Sequence, residues 1–558
     1  MTDLAQSLID RFRVCTVTGL KVDKTAESLI KTNAVVAVVC LLFGVIAAIG
    51  LVLTRWEAVH LLPVGMFYRF LTAHGLNMLI FFIIFFEMAV LYFAGPVLLN
   101  SRLPAPKLGW VAFGLMVVGM LVTNGTVFTG HADVLFTSYP PLKAHPLYYI
   151  GIILFAVGAL IVSFHFIATV IIAKKEGSYV GSMPLVTFGA LTAAIIAIIT
   201  LLHGALIYIP TLLWSMDLMP MDAQVYRLIF WALGHSAQQI NVAAMVSLWY
   251  FLAAMTVGGV VVNEKISRTA FVLYVLFISL ASAHHLLVDP GMGPAWKVWN
   301  TSYAMYLAVL ASMIHGLTVP GSVEAAQRKK GFNKGLFEWI RKAPWGNPAF
   351  SGFALSVVLF GFLGGISGVM MGTEQLNIIT HNTIYVPGHF HATVVTGTTL
   401  TFMALGYWLV PVLWQKELVM PGLAKWQPYL FGIGMGLVSV FMMGAGTLGV
   451  PRRHWDINFA DAVMGYDFPG AAHLMMGLNG LAALMGAVGG AIFILNMVGT
   501  ILWGKPKTKA VAEEAPAPAP EPAVSTYGNA GTMAVPGTFT LAMVFLVAFV
   551  LYYFVNWK

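Results

Sequence analysis

Apolar runs of about 20 residues recur through nearly the whole chain, separated by short polar connections, and a run of that length crosses a hydrocarbon core as a helix. Thirteen spans are expected, near 33–54, 69–95, 108–129, 147–173, 183–212, 226–261, 269–288, 301–320, 350–372, 384–414, 427–448, 472–503 and 538–556. The runs are continuous, unlike the alternating ten-residue segments of a membrane β-barrel. The expected fold is therefore all-α, a polytopic membrane bundle of about 13 transmembrane helices. Ahead of it stands a polar segment, 1–32, without the short apolar core of a cleavable signal peptide. Residues 33–504 form a core of about twelve helices, 505–537 read as a Pro/Ala-rich linker without apolar period, and 538–558 supply the last helix.

Composition narrows the classes. Of the 558 residues 59% are hydrophobic and 9% charged, against about 25% charged in a soluble chain. A soluble enzyme, a nucleic-acid binder and a disordered hub are excluded. The net charge of +8 would suggest an anionic partner in a soluble protein, but here the basic residues follow topology. Of 30 Lys and Arg, 22 fall in the N-terminal segment and the even-numbered connections, and 8 on the other side. That bias puts the N-terminus and the linker in the cytoplasm and the C-terminus outside. Cys15 and Cys40 fit no CxxC or CxxCH spacing, so neither a disulfide framework nor covalent haem c is indicated. There is no internal repeat of the kind found in many transporters.

Ionisable groups inside a bilayer are rare and point to function. Six of the fifteen histidines form a pattern: His74 near the start of the second span, His235 in the sixth, His284 and His285 near the end of the seventh, His389 and His391 near the start of the tenth. Given the topology and a rise of about 1.5 Å per residue, all six lie at one level in the outer half of the membrane. A lone membrane histidine is more often a helix–helix hydrogen-bonding residue; six at one depth are not explained that way. At about 100° per residue, His389 and His391 point to opposite faces of their helix. His391 could thus pair with His74 across one low-spin haem while His389 binds a second haem. His284 and His285, about 100° apart, can both turn toward a common centre with His235, and three imidazoles suit copper, iron or zinc.

These motifs resemble subunit I of the haem-copper oxidase superfamily, with the B-type oxygen reductases as the nearest match. The similar stretches are VLFTSYPPLKAH (134–145), HHLLVDPGMGPAWK (284–297), APWGNPAF (343–350), HNTIYVPGHFH (381–391) and GVPRR (449–453). The resemblance implies a low-spin haem on His74 and His391, and a high-spin haem on His389 facing a non-haem metal on His235, His284 and His285. It implies that Arg452 and Arg453 contact haem propionates, in keeping with the anion geometry arginine favours. It also implies a prokaryotic plasma membrane and a second subunit carrying the electron-input domain, fed by a soluble cytochrome or by quinol.

One departure bears on the reaction. A- and B-type oxygen reductases carry a Tyr four residues after the first histidine of the second metal; here that position is Gln239. An amide on the same helix face hydrogen-bonds but cannot supply a phenol hydrogen. C-type oxidases take their Tyr from six residues before the histidine pair, here Ile278, and the nearest phenol upstream is Tyr274. Reduction of two NO to N2O splits no O–O bond and dispenses with that Tyr. The expectation is therefore a nitric oxide reductase on a B-type framework, with an oxygen reductase of unusual site or an NO dismutase as alternatives. A haem-based gas sensor or a degenerate subunit fits the complete histidine set less well.

Better-known nitric oxide reductases place a Glu near a non-haem iron, and none stands beside His235 or the His284–His285 pair, so copper is favoured over iron. Gln238 and Asn241 flank Gln239 at angles that let one of them face the pocket. Resemblance to the B-type proton route marks Tyr250, Ser312 and His315, with Val246 where that route has a phenol. Glu87, deep in the second span, is a further proton-path candidate or simply a protonated acid bonded to a neighbouring helix.

Overall fold

In the computed structural model, residues 11–16, 19, 21–278, 282–459, 463, 465–507 and 534–557 are described. Among the described residues, eleven helices are long and apolar enough to cross a membrane. They are α1 (Lys24–Arg55), α2 (Val64–Val97), α3 (Pro106–Phe128), α4 (Pro146–Lys175), α5 (Leu185–Ser215), α6 (Ala223–Val257), α8 (Pro294–Lys329), α9 (Pro348–Gly372), α10 (Tyr385–Leu413), α11 (Pro421–Thr447) and α12 (Gly470–Trp503). The remaining two expected spans correspond to α7, Glu264–Leu273 continued by a π turn Tyr274–Ile278, and to α13, Pro536–Trp557. The chain is a polytopic helical bundle, and most of the linker expected at 505–537 lies outside the described residues.

Local chemistry sets the helix ends. A two-stranded hairpin, β1 (Phe12–Val14) with β2 (Lys21–Asp23), delivers the chain to Asp23, whose carboxylate caps α1 by accepting from the amides of Thr25 and Ala26. The helix therefore runs straight through the boundary expected at residue 32, because its first turns find polar partners: Glu27 takes a bidentate contact from Arg13 at 2.5 and 2.7 Å. Asp222 caps α6 in the same way, and Gly258, at φ 74°, ends it in a left-handed turn that suits glycine.

Neighbouring spans pair along the chain, α3 on α4, α5 on α6 and α11 on α12, and α12 closes back on α1. Small residues allow the closest approaches. At Gly446 on α11 a side chain would have its Cβ 2.2 Å from the backbone nitrogen of Tyr385, the first residue of α10. At the other end of the chain, Glu324 of α8 accepts from the backbone N–H of Gly537 at 3.0 Å and of Thr538 at 2.6 Å, capping α13 in trans. Gly537 itself sits so close to Trp339 and the Leu336 carbonyl that no Cβ would fit.

Several helices depart from regular α geometry beside the histidines. α2 has a π stretch at Asn77–Phe82, α8 at Trp299–Ala304, α9 at Phe360–Gly365 and α10 at His391–Thr399. A π turn takes in an extra residue and rotates the face that follows it, a device found often at functional sites.

Candidate metal and cofactor site

All six histidines line one cavity of about 760 Å³ within the bundle, within the range of small-molecule and cofactor sites. His74 on α2 and His391 on α10 face each other across it, their rings nearly parallel (16°) with centroids 6.3 Å apart. Two imidazoles on opposite sides of one metal, with bonds of about 2.0 Å, would stand about 6 Å apart. The Nδ1 of His74 is 3.0 Å from the Gly44 carbonyl and that of His391 is 2.7 Å from the Pro387 carbonyl. Carbonyls accept from N–H, so each contact places the proton on Nδ1 and leaves Nε2 as a lone-pair donor toward the cavity.

His389, two residues earlier, points to the other side of α10, toward α9. Its Nδ1 pairs with Ser367 Oγ at 2.9 Å, and its ring packs on Gly368, where a Cβ would come within 3.0 Å. The opposed faces expected from the 200° spacing are present.

The second cluster is assembled from α6 and the short turn Ala283–His285. One nitrogen of each of His235, His284 and His285 lies within 4.8 Å of the others. His235 Nδ1 is 3.2 Å from His285 Nε2, and Gln239 Nε2 is 3.3 Å from His235 Nε2. Trp231, His235 and Gln239 follow at four-residue intervals and form one stripe of α6. The Trp231 indole lies flat on His285, centroids 3.7 Å apart and planes 4° apart. The turn carrying the pair is tied down by Asn300, which accepts from the His284 amide at 3.0 Å, and by Asp289, which takes a bidentate contact from Arg227 at 2.5 and 2.9 Å.

A basic edge borders the same cavity. Arg452 and Arg453 line it, and so does Arg55, the last residue of α1, whose guanidinium donates to the Pro451 carbonyl at 2.8 Å. The Arg452 and Arg55 Nε atoms are buried without a partner among the described residues. Burial, reinforced by the neighbouring Arg453, pulls the Arg452 guanidinium down to about 9. Arg453 stacks over Tyr139 at 5.2 Å, and Arg227 over the same ring at 4.5 Å. The donor set is that of a site for carboxylate groups.

The family follows from comparison with known proteins. Residues 28–488 match the model of "Cytochrome C and Quinol oxidase polypeptide I". The chain belongs to that family. Cytochrome c oxidase subunit 1 of Thermus thermophilus is 33% identical over 468 residues, covering 82% of this chain and 80% of the relative. Cytochrome c oxidase subunit 1 of a Synechocystis species is 25% identical over 425 residues, covering 71% of each. A cryo-EM structure of a haem-copper terminal oxidase dimer superposes with a TM-score of 0.82 at 28% identity, covering 96% of this chain and 92% of that one. As a subunit I of the haem-copper oxidases the chain is an oxidoreductase of electron transport. The family binds haems and a further metal, and its subunit I typically works beside a second subunit in a membrane. The residues here fit such groups: two Nε2 donors fixed by Nδ1 contacts to carbonyls, a third imidazole held by Ser367, a three-histidine cluster, and an arginine edge.

The other expected residues divide. Gln238, Gln239 and Asn241 all line the cavity, rather than one flank alone. Tyr250 and His315 are bonded to each other just behind its wall, while Ser312 is on the wall and bonded to Tyr274. Glu87 is not brought to the site; it borders a separate small void among Ala190, Ala193, Ala194, Ala197, Ile240 and Ala244, and its Oε1 has no partner among the described residues. Sequence reasoning missed Arg55, Trp231, Ser367 and Asn300. Only Arg55 left a signal, a basic residue ending an apolar run on the side the charge bias disfavours.

Proposed function

We propose that this chain is the catalytic subunit of a membrane nitric oxide reductase, in a prokaryotic plasma membrane, forming N2O and water from two NO, two electrons and two protons. The observation that carries the reading is the Gln239 amide 3.3 Å from His235, in the position where oxygen reductases of this framework hold a phenol. In the reaction one N–N bond forms, one N–O bond breaks, and the freed oxygen leaves as water. No step needs a hydrogen atom from the protein, so an amide suffices.

In this reading His74 and His391 hold the low-spin haem, His389 the high-spin haem, and His235, His284 and His285 a non-haem metal, copper rather than iron. Residues 33–504 are the catalytic core. The haems and the metal, when bound, supply the electrons and the positions where NO is held. The protein's own work is orientation and proton supply. The carbonyls of Gly44 and Pro387 fix the tautomers of two imidazoles, and the Ser367 hydroxyl orients the third. Trp231 holds the His285 ring plane, and Gln239, with Gln238 beside it, offers a hydrogen bond to the bound substrate or product. Arg452 and Arg453 neutralise propionates. Tyr250, Ser312 and His315 carry protons, and electrons come through a second subunit from a soluble cytochrome or quinol.

A second reading, a terminal oxygen reductase, is favoured by the relatives named cytochrome c oxidase and by Tyr274, a phenol on the cavity wall. The purified complex decides, supplied with one reductant at one haem-normalised concentration. Anaerobic NO loss with N2O appearing at half its rate, and little O2 uptake, is the expected result. Rapid O2 reduction with negligible NO turnover selects the second reading.

A further inference from the structure

Tyr274 is fully buried in the π turn of α7, and it lines the same cavity as His235 and Gln239. Its hydroxyl is 3.1 Å from Ser312 Oγ of α8, also on the cavity wall. Three residues along α8, on the same face, stands His315, buried and behind the wall. The Nδ1 of His315 is 2.8 Å from the Tyr250 hydroxyl, which is 2.6 Å from Thr318 Oγ1 and donates to Ser267 Oγ at 3.0 Å. Ser267 lies in the first turn of α7, at the end of the bundle away from the histidines, and donates to the Asn263 carbonyl at 2.9 Å. A bonded polar series therefore runs from the start of α7 up to His315.

Between that series and the cavity one interval is left. The His315 and Tyr274 rings have centroids 5.4 Å apart, and His315 Nε2 is buried without a partner among the described residues. A bridging water that pairs Nε2 with the Tyr274–Ser312 hydroxyls would close that interval. An imidazole can take a proton at one nitrogen and release it from the other, and a phenol or hydroxyl both donates and accepts. On α6 the level between Tyr250 and Gln239 offers no phenol, since Val246 is apolar and buried. The phenol at that level comes instead from α7.

We infer that Tyr274 is the proton-transfer residue that opens the Ser267–Tyr250–His315 series onto the cavity. With the Tyr250 hydroxyl turned from Ser267 to His315, the imidazole takes a proton at Nδ1 and gives the one on Nε2 to the Tyr274–Ser312 pair, and Ser267 restores the Tyr250 proton. Tyr274 releases its own proton into the cavity and is reprotonated from behind, so no residue changes its charge over a cycle. A purely structural role, two helices joined by a hydroxyl pair, would need neither the cavity-wall position nor the one-sided use of His315. The inference rests on the reading of this cavity as the reaction site, whether the substrate is NO or O2.

The test uses the purified, cofactor-loaded complex and its Tyr274→Phe variant. Haem spectra and the rate of substrate binding should match those of the parent. Proton uptake, followed with a pH-indicator dye during a single turnover and during anaerobic reduction without substrate, should slow about 10²-fold. The solvent deuterium isotope effect on the slowed phase should rise. Uptake within twofold of the parent overturns the inference. If Tyr274→Phe loses its haems, Ser312→Ala and His315→Gln decide: slowed uptake in both with intact spectra supports the relay, and normal uptake in both overturns it. Running each protein on NO and on O2 keeps the two questions apart, because either substrate consumes protons while only one reports the proposed function.

Discussion

The Gln239 amide and the His235 imidazole approach to 3.3 Å across one turn of α6, while the opposite nitrogen of the same imidazole lies 3.2 Å from His285. The amide is thus positioned to steer, from behind, a ring that is a metal ligand in the proposed reading, as well as to face the cavity. Gln239→Leu should reduce occupancy of the second metal or turnover by about 10- to 100-fold, the usual cost of losing a ligand's hydrogen-bond partner. Metal content by elemental analysis, set beside NO turnover, checks it. Unchanged values for both would remove Gln239 from the site.

The parallel imidazoles of His74 and His391 belong to one site and should fail together. In the proposed reading electrons reach the reaction site through that haem, so His74→Ala and His391→Ala are each expected to abolish the low-spin haem spectrum and reduce turnover to below about 1%. The visible spectrum of the reduced protein is the direct readout. A variant of either residue that kept a normal low-spin band would separate the pair.

Gly446 allows α11 to meet the first residue of α10, and α10 carries His389 and His391. Gly446→Ala puts a Cβ against the Tyr385 backbone, which cannot move as a flexible side chain would. A loss of about 1–3 kcal/mol is expected from such overpacking. Thermal unfolding followed through the haem bands should show a lowered midpoint, together with a weaker high-spin signal as His389 shifts.

Asp289 holds the His284–His285 turn to α6 through its bidentate contact with Arg227. Asp289→Asn keeps the shape and loses the charge, leaving Arg227 facing Tyr139 beside Arg453. The pair is partly exposed, with side chains 23% and 14% accessible, so the cost should be about 1–2 kcal/mol rather than that of a buried pair. Second-metal affinity, titrated with a chelator, is expected to fall while the low-spin spectrum stays.

How much of this is legible in the sequence follows from what one residue can signal alone. Imidazoles inside apolar runs stand out because a bilayer penalises them, so His74, His235, His284, His285, His389 and His391 and their shared level were readable. Their two-sided arrangement on α10 followed from a plain α-helical angle. The spans were readable for the same energetic reason. What was not readable belongs to pairs and to backbone. The carbonyls of Gly44 and Pro387, which fix two tautomers, carry no side-chain signature. Ser367 and Asn300 are ordinary polar residues until α9 and α8 bring them to His389 and His284. The π turns redirect Tyr274 and rotate the faces after His74 and His391, which no straight-helix angle anticipates. Glu87, open in the sequence between a proton path and a structural acid, borders a void of its own.

Glu324 receives the first amides of α13, and Gly537 fits only against Trp339 and Leu336. The last helix is in effect a ligand of the bundle, with its own binding site and its own recognition contacts. Whatever path the intervening chain takes, it sets the effective concentration at which α13 meets that site, not the place where it lands. A cut between residues 508 and 533 would turn the docking from an event within one molecule into an encounter between two. The same helix, supplied as a separate peptide in the membrane, should still seat on Glu324, and the intact protein holds it there by proximity.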